Sequence, residues 1–185
     1  MIRNIWLWKK PVNNSSIQTL KLLKSLALAA VTAVLTVAPA LADSKDEYDL
    51  IQTAQEAGIL VSVNGDKCIQ RPVYGVYTFV GMKRMLTLCP GAEVDPHDRR
   101  TVKHEVWHAI QHCVNTARGT DVRYPVNMDT DSFVEAINTY LSVERVNFIK
   151  ANYPEDHWLV EFEAALAEQL PNETIDELFR MACIF

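Results

Sequence analysis

The chain has no apolar run of membrane-spanning length, no internal repeat and no CxxC pair. The missing CxxC pair argues against a thiolate zinc site and against a redox motif. Basic residues are also in deficit, because residues 43–185 carry 13 Lys and Arg against 23 Asp and Glu, a net charge of −10. An acidic body does not attract phosphates, so we expect no nucleic-acid partner.

Acidic residues are absent from the first 42 positions, which hold five basic ones. Two lysines precede the apolar run Leu26–Ala38, which is too short to span a bilayer comfortably. Pro39 and the small residues of Ala40–Ala42 then give the layout of a cleavage site. We predict a signal peptide at 1–42, with a long basic start, and a secreted or periplasmic single domain at 43–185. The alternative is that the apolar run is retained as a membrane anchor.

All four cysteines lie in the predicted mature domain: Cys68, Cys89, Cys113 and Cys183. An even number of cysteines in an exported chain predicts two disulfides, for which three pairings are open. We favour Cys68 with Cys89, which would tie the two predicted hairpins, and Cys113 with Cys183. The alternative is four buried free thiols.

Turn and cap signals predict an α+β fold. A capping box at Ser44 and Glu47 predicts a helix over 45–57. Two β-rich hairpins, one turning at Asn64-Gly65 and one around Gly81, predict a small antiparallel sheet.

Beyond the sheet, the signals are helical. The chain is predicted to end in four helices: one from Asp95 or Pro96 to about Asn115, one from Asp129 or Asp131 to a point before Pro154, one over 155–169, and one from Asn172 to near Cys183. A run of strands followed by a run of helices is an α+β arrangement and not an alternating βαβ one.

The chemistry is concentrated in HEVWH, residues 104–108. On a helix, His104 and His108 are one turn apart and can bind one metal ion, while Glu105 lies beside them as a general base. Zinc takes neutral imidazole ligands, usually keeps an open position for water, and lowers the pKa of that water. The motif therefore predicts Zn²⁺ as cofactor and a water-activating hydrolase. His112, one further turn along, is too far from His104 to share the ion.

The third ligand is left to a downstream carboxylate, and three are candidates: Glu161, Glu163 and Glu135. The segment EFEAALA, which begins at Glu161, resembles the EF-x-AD-x-x-A motif of integral-membrane metalloproteases that process CaaX proteins. It also resembles the ExEAN motif of zinc peptidases that cleave phage-type repressors. The resemblance implies Glu161 as ligand, although Ala165 stands where those families have Asp or Asn.

Taken together, the two motifs resemble a small secreted gluzincin-like metallopeptidase of the zincin superfamily. The resemblance implies a zincin-like fold, peptide or protein substrates, and an upstream edge strand, in VYTFV or RMLTL, that pairs with the substrate. His157 is a candidate to stabilise the oxyanion, with Tyr124 and Tyr140 as alternatives. A second hypothesis is an exported, non-catalytic metal-binding or interaction domain on a zincin scaffold.

Overall fold

A computed structural model describes residues 46–63, 68, 74–81, 83–89, 96–120, 125–126 and 130–184 of the chain. Within these ranges, six α-helices and one three-stranded sheet give the α+β fold that the sequence predicts. The predicted signal peptide and the Asn64-Gly65 turn lie outside them. In the described ranges, no helix is both long enough and apolar enough to cross a membrane.

Helix α1, Glu47–Glu56, begins later than predicted. Its N-cap is Asp46, whose carboxylate accepts a hydrogen bond from the backbone of Asp49, while the Asp49 side chain accepts one from the Asp46 backbone. The sequence offers two capping boxes close together, one at Ser44 and Glu47 and one at Asp46 and Asp49, and the helix uses the second. The prediction from Ser44 and Glu47 was therefore wrong. The helix ends where predicted, at Gly58, which has a positive φ of 76°.

The sheet is mixed, which corrects the prediction of a purely antiparallel one. Its strands are β1 (Leu60–Val63), β2 (Gly75–Val80) and β3 (Lys83–Leu88), in the spatial order β1-β3-β2. The hairpin of β2 and β3 around Gly81 is confirmed, but β1 pairs in parallel with β3. Strand β2 therefore occupies one edge, and β3 lies in the centre.

Helix α2, Pro96–Arg118, is the central element of the fold and carries the HEVWH segment. It continues past the predicted end at Asn115 to Gly119, whose positive φ of 66° ends it. The apolar side of α2, including Val106 and Ile110, is buried in the main hydrophobic core.

The C-terminal half contains one more helix than predicted. The single helix expected up to Pro154 is two, α3 (Thr130–Tyr140) and α4 (Val143–Asn152). The break occurs because Ser142 is extended and its hydroxyl accepts a hydrogen bond from the Arg145 backbone at 3.2 Å, which caps α4. A 3₁₀ turn, Glu155–His157, then leads into α5 (Trp158–Ala167) and α6 (Asn172–Cys183).

Both favoured disulfide pairings are confirmed. Cys68 is joined to Cys89 at the end of β3, and Cys113 on α2 is joined to Cys183 at the end of α6. Disulfides persist in oxidising compartments, so the two bonds indicate an environment outside the cytoplasm.

Candidate metal centre

Two histidines of α2 and one glutamate of α5 converge where these helices pack together. Nε2 of His104 lies 3.1 Å from Oε2 of Glu161 and 3.1 Å from Nε2 of His108. Nε2 of His108 lies 3.5 Å from Oε1 of Glu161. One donor atom from each residue lies within 4.8 Å of the others, so the three could hold a metal ion. We call His104, His108 and Glu161 the metal-ligand group.

The other two candidates for the third ligand have different surroundings. Glu135 is exposed on α3. Glu163 is buried, but its Oε2 accepts hydrogen bonds from Nε2 of Gln111 and from the backbone N–H of Val126, both at 2.8 Å. Among the described residues, Glu161 is the carboxylate that joins the two histidines.

The metal-ligand group is electrostatically coupled. Burial opposes charge on His104, but hydrogen bonds to Glu161 and Glu168, with the charge of Glu105, outweigh it and raise the pKa of His104 to about 10. For Glu161, burial is likewise outweighed by the two histidines, and its pKa falls below the ordinary value. In the metal-free chain, protons therefore hold this group together, and a metal ion would take their place.

A second carboxylate, that of Glu168, contacts the ring nitrogen of His104 that faces away from Glu161 and His108. Nδ1 of His104 lies 2.9 Å from Oε1 of Glu168, which also accepts a hydrogen bond from Arg145 on α4. A carboxylate on the outer nitrogen fixes the orientation of a metal-binding imidazole and raises its basicity. Glu168 lies two helical turns after Glu161, so both carboxylates face His104.

His108 has its own support, which was not predicted. Its Nδ1 lies 2.7 Å from Oε1 of Gln111, and Nε2 of Gln111 donates to Glu163 and, at 3.0 Å, to the backbone carbonyl of Val160. The side-chain amide of Gln111 therefore links His108 to α5. The sequence signal was present, since residues three apart on a helix are neighbours.

Glu105 lies buried between α2 and the edge strand β2. Burial raises the pKa of its carboxyl, although His108 and His104 oppose the rise and the backbone N–H of Tyr77 donates a hydrogen bond to it. The strand approaches closely because Gly75 has no side chain: a β-carbon there would lie 2.8 Å from Cγ of Glu105. A carboxyl with a raised pKa beside candidate metal ligands is suited to exchanging protons.

His112 points away from the metal-ligand group, toward β2. Its Nδ1 lies 2.7 Å from the hydroxyl of Tyr77, and its ring stacks on Phe79 with 4.2 Å between ring centroids. This placement agrees with the sequence argument that His112 is not the third ligand.

A hydroxyl group at the site, that of Tyr153, was missed by sequence reasoning. Tyr153, directly after α4, donates a hydrogen bond to Glu161 and lies in the field of Glu105. Burial, together with these charges, raises the pKa of its phenol, which therefore keeps its proton. Tyr153 lies at the C-terminal end of α4, and its contact with Glu161 on α5 depends on how the two helices pack, which no periodic pattern reveals.

Two of the three residues named as oxyanion candidates, His157 and Tyr140, lie in the described part of the chain. No hydrogen bond or ion pair within the described ranges joins His157, in the 3₁₀ turn, to the metal-ligand group. Tyr140 is exposed at the end of α3, and Tyr124 lies outside the described residues.

Comparisons with protein-family models, with curated proteins and with solved structures find no match for this chain. What the site can do must therefore be inferred from its own side chains. Two imidazoles and one carboxylate form a mixed nitrogen and oxygen donor set, and three protein ligands leave a position open on a four-coordinate ion.

Proposed function

We propose that the chain is a zinc-dependent peptidase of the zincin type, similar to the gluzincins, that hydrolyses peptide bonds outside the cytoplasm. The observation that carries the proposal is the buried group of His104, His108 and Glu161 with Glu105 beside it. A purely structural zinc site is usually closed by four protein ligands and has no need of an adjacent buried carboxyl. The two disulfides support an exported location.

The donor set fits zinc. His104, His108 and Glu161 would hold the ion, with Glu168 and Gln111 orienting the two imidazoles. When bound, zinc polarises a carbonyl oxygen and acidifies water at neutral pH. Three protein ligands leave room for both functions, which a closed site does not.

Glu105 is the proposed general base. Its carboxylate would accept a proton from the attacking water and pass it to the amine that leaves. Burial keeps bulk water away from this carboxyl, and the hydrogen bond from the Tyr77 backbone fixes its position.

Tyr153 and strand β2 complete the proposed mechanism. The protonated phenol of Tyr153 donates to Glu161 in the structure, and we propose that with substrate bound it donates instead to the oxygen on which negative charge develops. Strand β2 is an edge strand above Glu105, so an extended substrate can pair with it. Of the two segments named from the sequence, VYTFV is the edge, whereas RMLTL lies in the sheet centre and is paired on both sides.

Metal content tests the proposed ligands. Mass spectrometry of purified residues 43–185 should find one zinc per chain, and His108→Ala and Glu161→Ala should lose it. Glu135→Ala is the matched control, because its carboxylate is exposed on α3, and this variant should keep the metal. A folded wild-type chain that binds no zinc would refute the proposal.

Activity tests the general base. Glu105→Gln keeps the size of the side chain and an acceptor for the Tyr77 N–H, so the variant should keep zinc while peptide hydrolysis falls by about 100-fold or more. Hydrolysis of a peptide library at the wild-type rate would refute the role of Glu105. Zinc binding with no turnover by the wild-type chain would instead favour the non-catalytic metal-binding domain.

A further inference from the structure

Three aromatic rings form a cluster beside Glu105 that the proposed chemistry does not use. Tyr77 and Phe79 lie on the same face of β2 and both contact His112 on α2, with 5.8 and 4.2 Å between ring centroids. The hydrogen bond between the Tyr77 hydroxyl and His112 fixes the imidazole, and Phe79 stacks on it at an interplanar angle of 27°. We call Tyr77, Phe79 and His112 the aromatic shelf.

The shelf is open to solvent and neutral. Phe79 is 42% exposed although its ring is held in a fixed orientation by stacking. Burial and the nearby Arg84 guanidinium lower the pKa of His112, so the imidazole is uncharged at neutral pH. A rigid, uncharged and partly exposed aromatic surface favours another ring, because aromatic pairs gain more than the area they bury.

The shelf is continuous with the outer edge of β2, with which no other described strand pairs. The backbone N–H of Cys89 donates to the carbonyl of Tyr74, so the backbone groups of Tyr74 face β3. Along an antiparallel strand only alternate residues face the partner strand. The backbone groups of Gly75, Tyr77 and Phe79 therefore point away from β3. The Tyr77 N–H already meets Glu105 at this edge. An extended peptide added to β2 would therefore run from Glu105 directly onto the shelf.

The distance from Glu105 to His112 and the direction of β2 determine which residue of that peptide reaches the aromatic shelf. Seven residues of helix separate Glu105 from His112, about 10 Å at ~1.5 Å per residue, and an extended chain covers this in about three residues at ~3.3 Å each. Strand β2 runs in the same direction as α2, since Gly75 meets Glu105 and Phe79 meets His112. A peptide antiparallel to β2, the more stable pairing, has its N-terminal side at the shelf.

We propose that the aromatic shelf binds an aromatic side chain of an extended peptide substrate, at the third residue on the N-terminal side of the bond to be cleaved. This assignment rests on the proposed peptidase function, and it names the substrate class: chains with Phe, Tyr or Trp at that position.

The test uses short peptides whose register is fixed by the metal. An N-acetylated Phe-Ala-Ala peptide ending in a hydroxamate, a zinc-binding group, would place its phenylalanine three residues from the metal. Against the zinc-loaded protein, calorimetry should give a Kd about tenfold below that of Ala-Ala-Ala hydroxamate, and Ala-Phe-Ala hydroxamate should gain less. Phe79→Ala should abolish the preference, while Tyr48→Ala, which removes an exposed ring on α1, should preserve it.

The outcomes separate the shelf from the zinc chemistry. Equal Kd values for the phenylalanine and alanine hydroxamates would overturn the shelf, and this comparison needs no variant to fold. If hydroxamates bound no better than the corresponding amides, but the amides still showed a Phe79-dependent preference, the zinc proposal would fail and the shelf would stand. If neither series preferred phenylalanine, the shelf would be refuted.

Discussion

Gly75 and Glu105 are in contact across the interface between β2 and α2. A β-carbon at residue 75 would lie 2.8 Å from Cγ of Glu105 and 2.6 Å from Cγ2 of Thr101, closer than real atoms approach. The absence of a side chain at this position therefore sets the distance between the edge strand and the proposed general base.

Gly75→Ala is expected to separate β2 from α2. Overpacking of this kind costs about 1–3 kcal/mol, and we expect urea unfolding to show a loss in that range. Because Glu105 would lose its alignment with the Tyr77 N–H, peptide hydrolysis should fall even under conditions where the variant is fully folded. Val80→Ala, on the same strand but 80% exposed, is the control and should leave both quantities nearly unchanged. Wild-type stability in Gly75→Ala would contradict the close packing.

The carboxylate of Glu168, which contacts Nδ1 of His104, is expected to increase the affinity of the site for metal. In Glu168→Gln, a neutral amide replaces the charged acceptor at Nδ1 of His104, and zinc affinity should fall by about 10- to 100-fold. Competition with a chromogenic chelator measures the change. Glu177→Gln, exposed on α6, is the matched control. An unchanged affinity would mean that Glu168 serves only to pair with Arg145.

The Tyr153 hydroxyl is expected to act mainly on turnover. Tyr153→Phe removes one hydrogen-bond donor, and loss of such a donor lowers kcat by about 100- to 1,000-fold. KM should change little, since the ring and its packing are kept, while loss of the hydrogen bond to Glu161 should weaken zinc binding by about tenfold, so kcat is measured at saturating zinc. Tyr140→Phe, on an exposed ring, should behave as wild type. Equal kcat values for Tyr153→Phe and wild type would exclude an oxyanion role.

His112 is expected to make the fold sensitive to mild acid. Burial and Arg84 lower its pKa in the folded protein, whereas an imidazole in the unfolded chain titrates near pH ~6.5. The unfolded state therefore binds the proton first as the pH falls, and stability is lost below about pH 6.5. His112→Gln removes this contribution, so its melting temperature should fall less than that of wild type between pH 7.5 and 5.5. His157→Gln controls for loss of a histidine, and parallel curves for wild type and His112→Gln would contradict the argument.

Sequence patterns within one helix or one turn predicted the features of this protein that depend on residues close together in the sequence. The HEVWH helix was read from spacing along one element, and Gly58 and Gly81 were read from backbone requirements that few other residues meet. Contacts between residues far apart in the sequence were harder to predict. The Asn64-Gly65 signal said nothing of β3 as the partner of β1, because pairing in parallel is decided by the rest of the sheet.

In the candidate site too, residues on one helix were predictable from their spacing, and contacts between helices were not. His104 and His108 follow from the helix period, while Glu161 could be singled out only by resemblance to motifs of known zinc peptidases. Glu168 lies two helical turns after Glu161, so its position follows from the helix period once Glu161 is chosen. Tyr153 reaches the site through the packing of α4 against α5, which no spacing along one element encodes. Gln111 is an instructive case, because its spacing of three residues from His108 already indicated the contact that the structure shows.

The Cys113–Cys183 disulfide closes a loop of sequence separation 70, and Glu161 lies within that loop. Cys113 follows His108 on the same helix, so one end of the closed loop is fixed next to the two histidines. If the C-terminal helices come loose, Glu161 remains tethered at a high effective concentration relative to His104 and His108, as linked binding groups do. The three side chains of the metal-ligand group then come together again within a closed ring, so a chain that has partly unfolded keeps its candidate ligands close to one another.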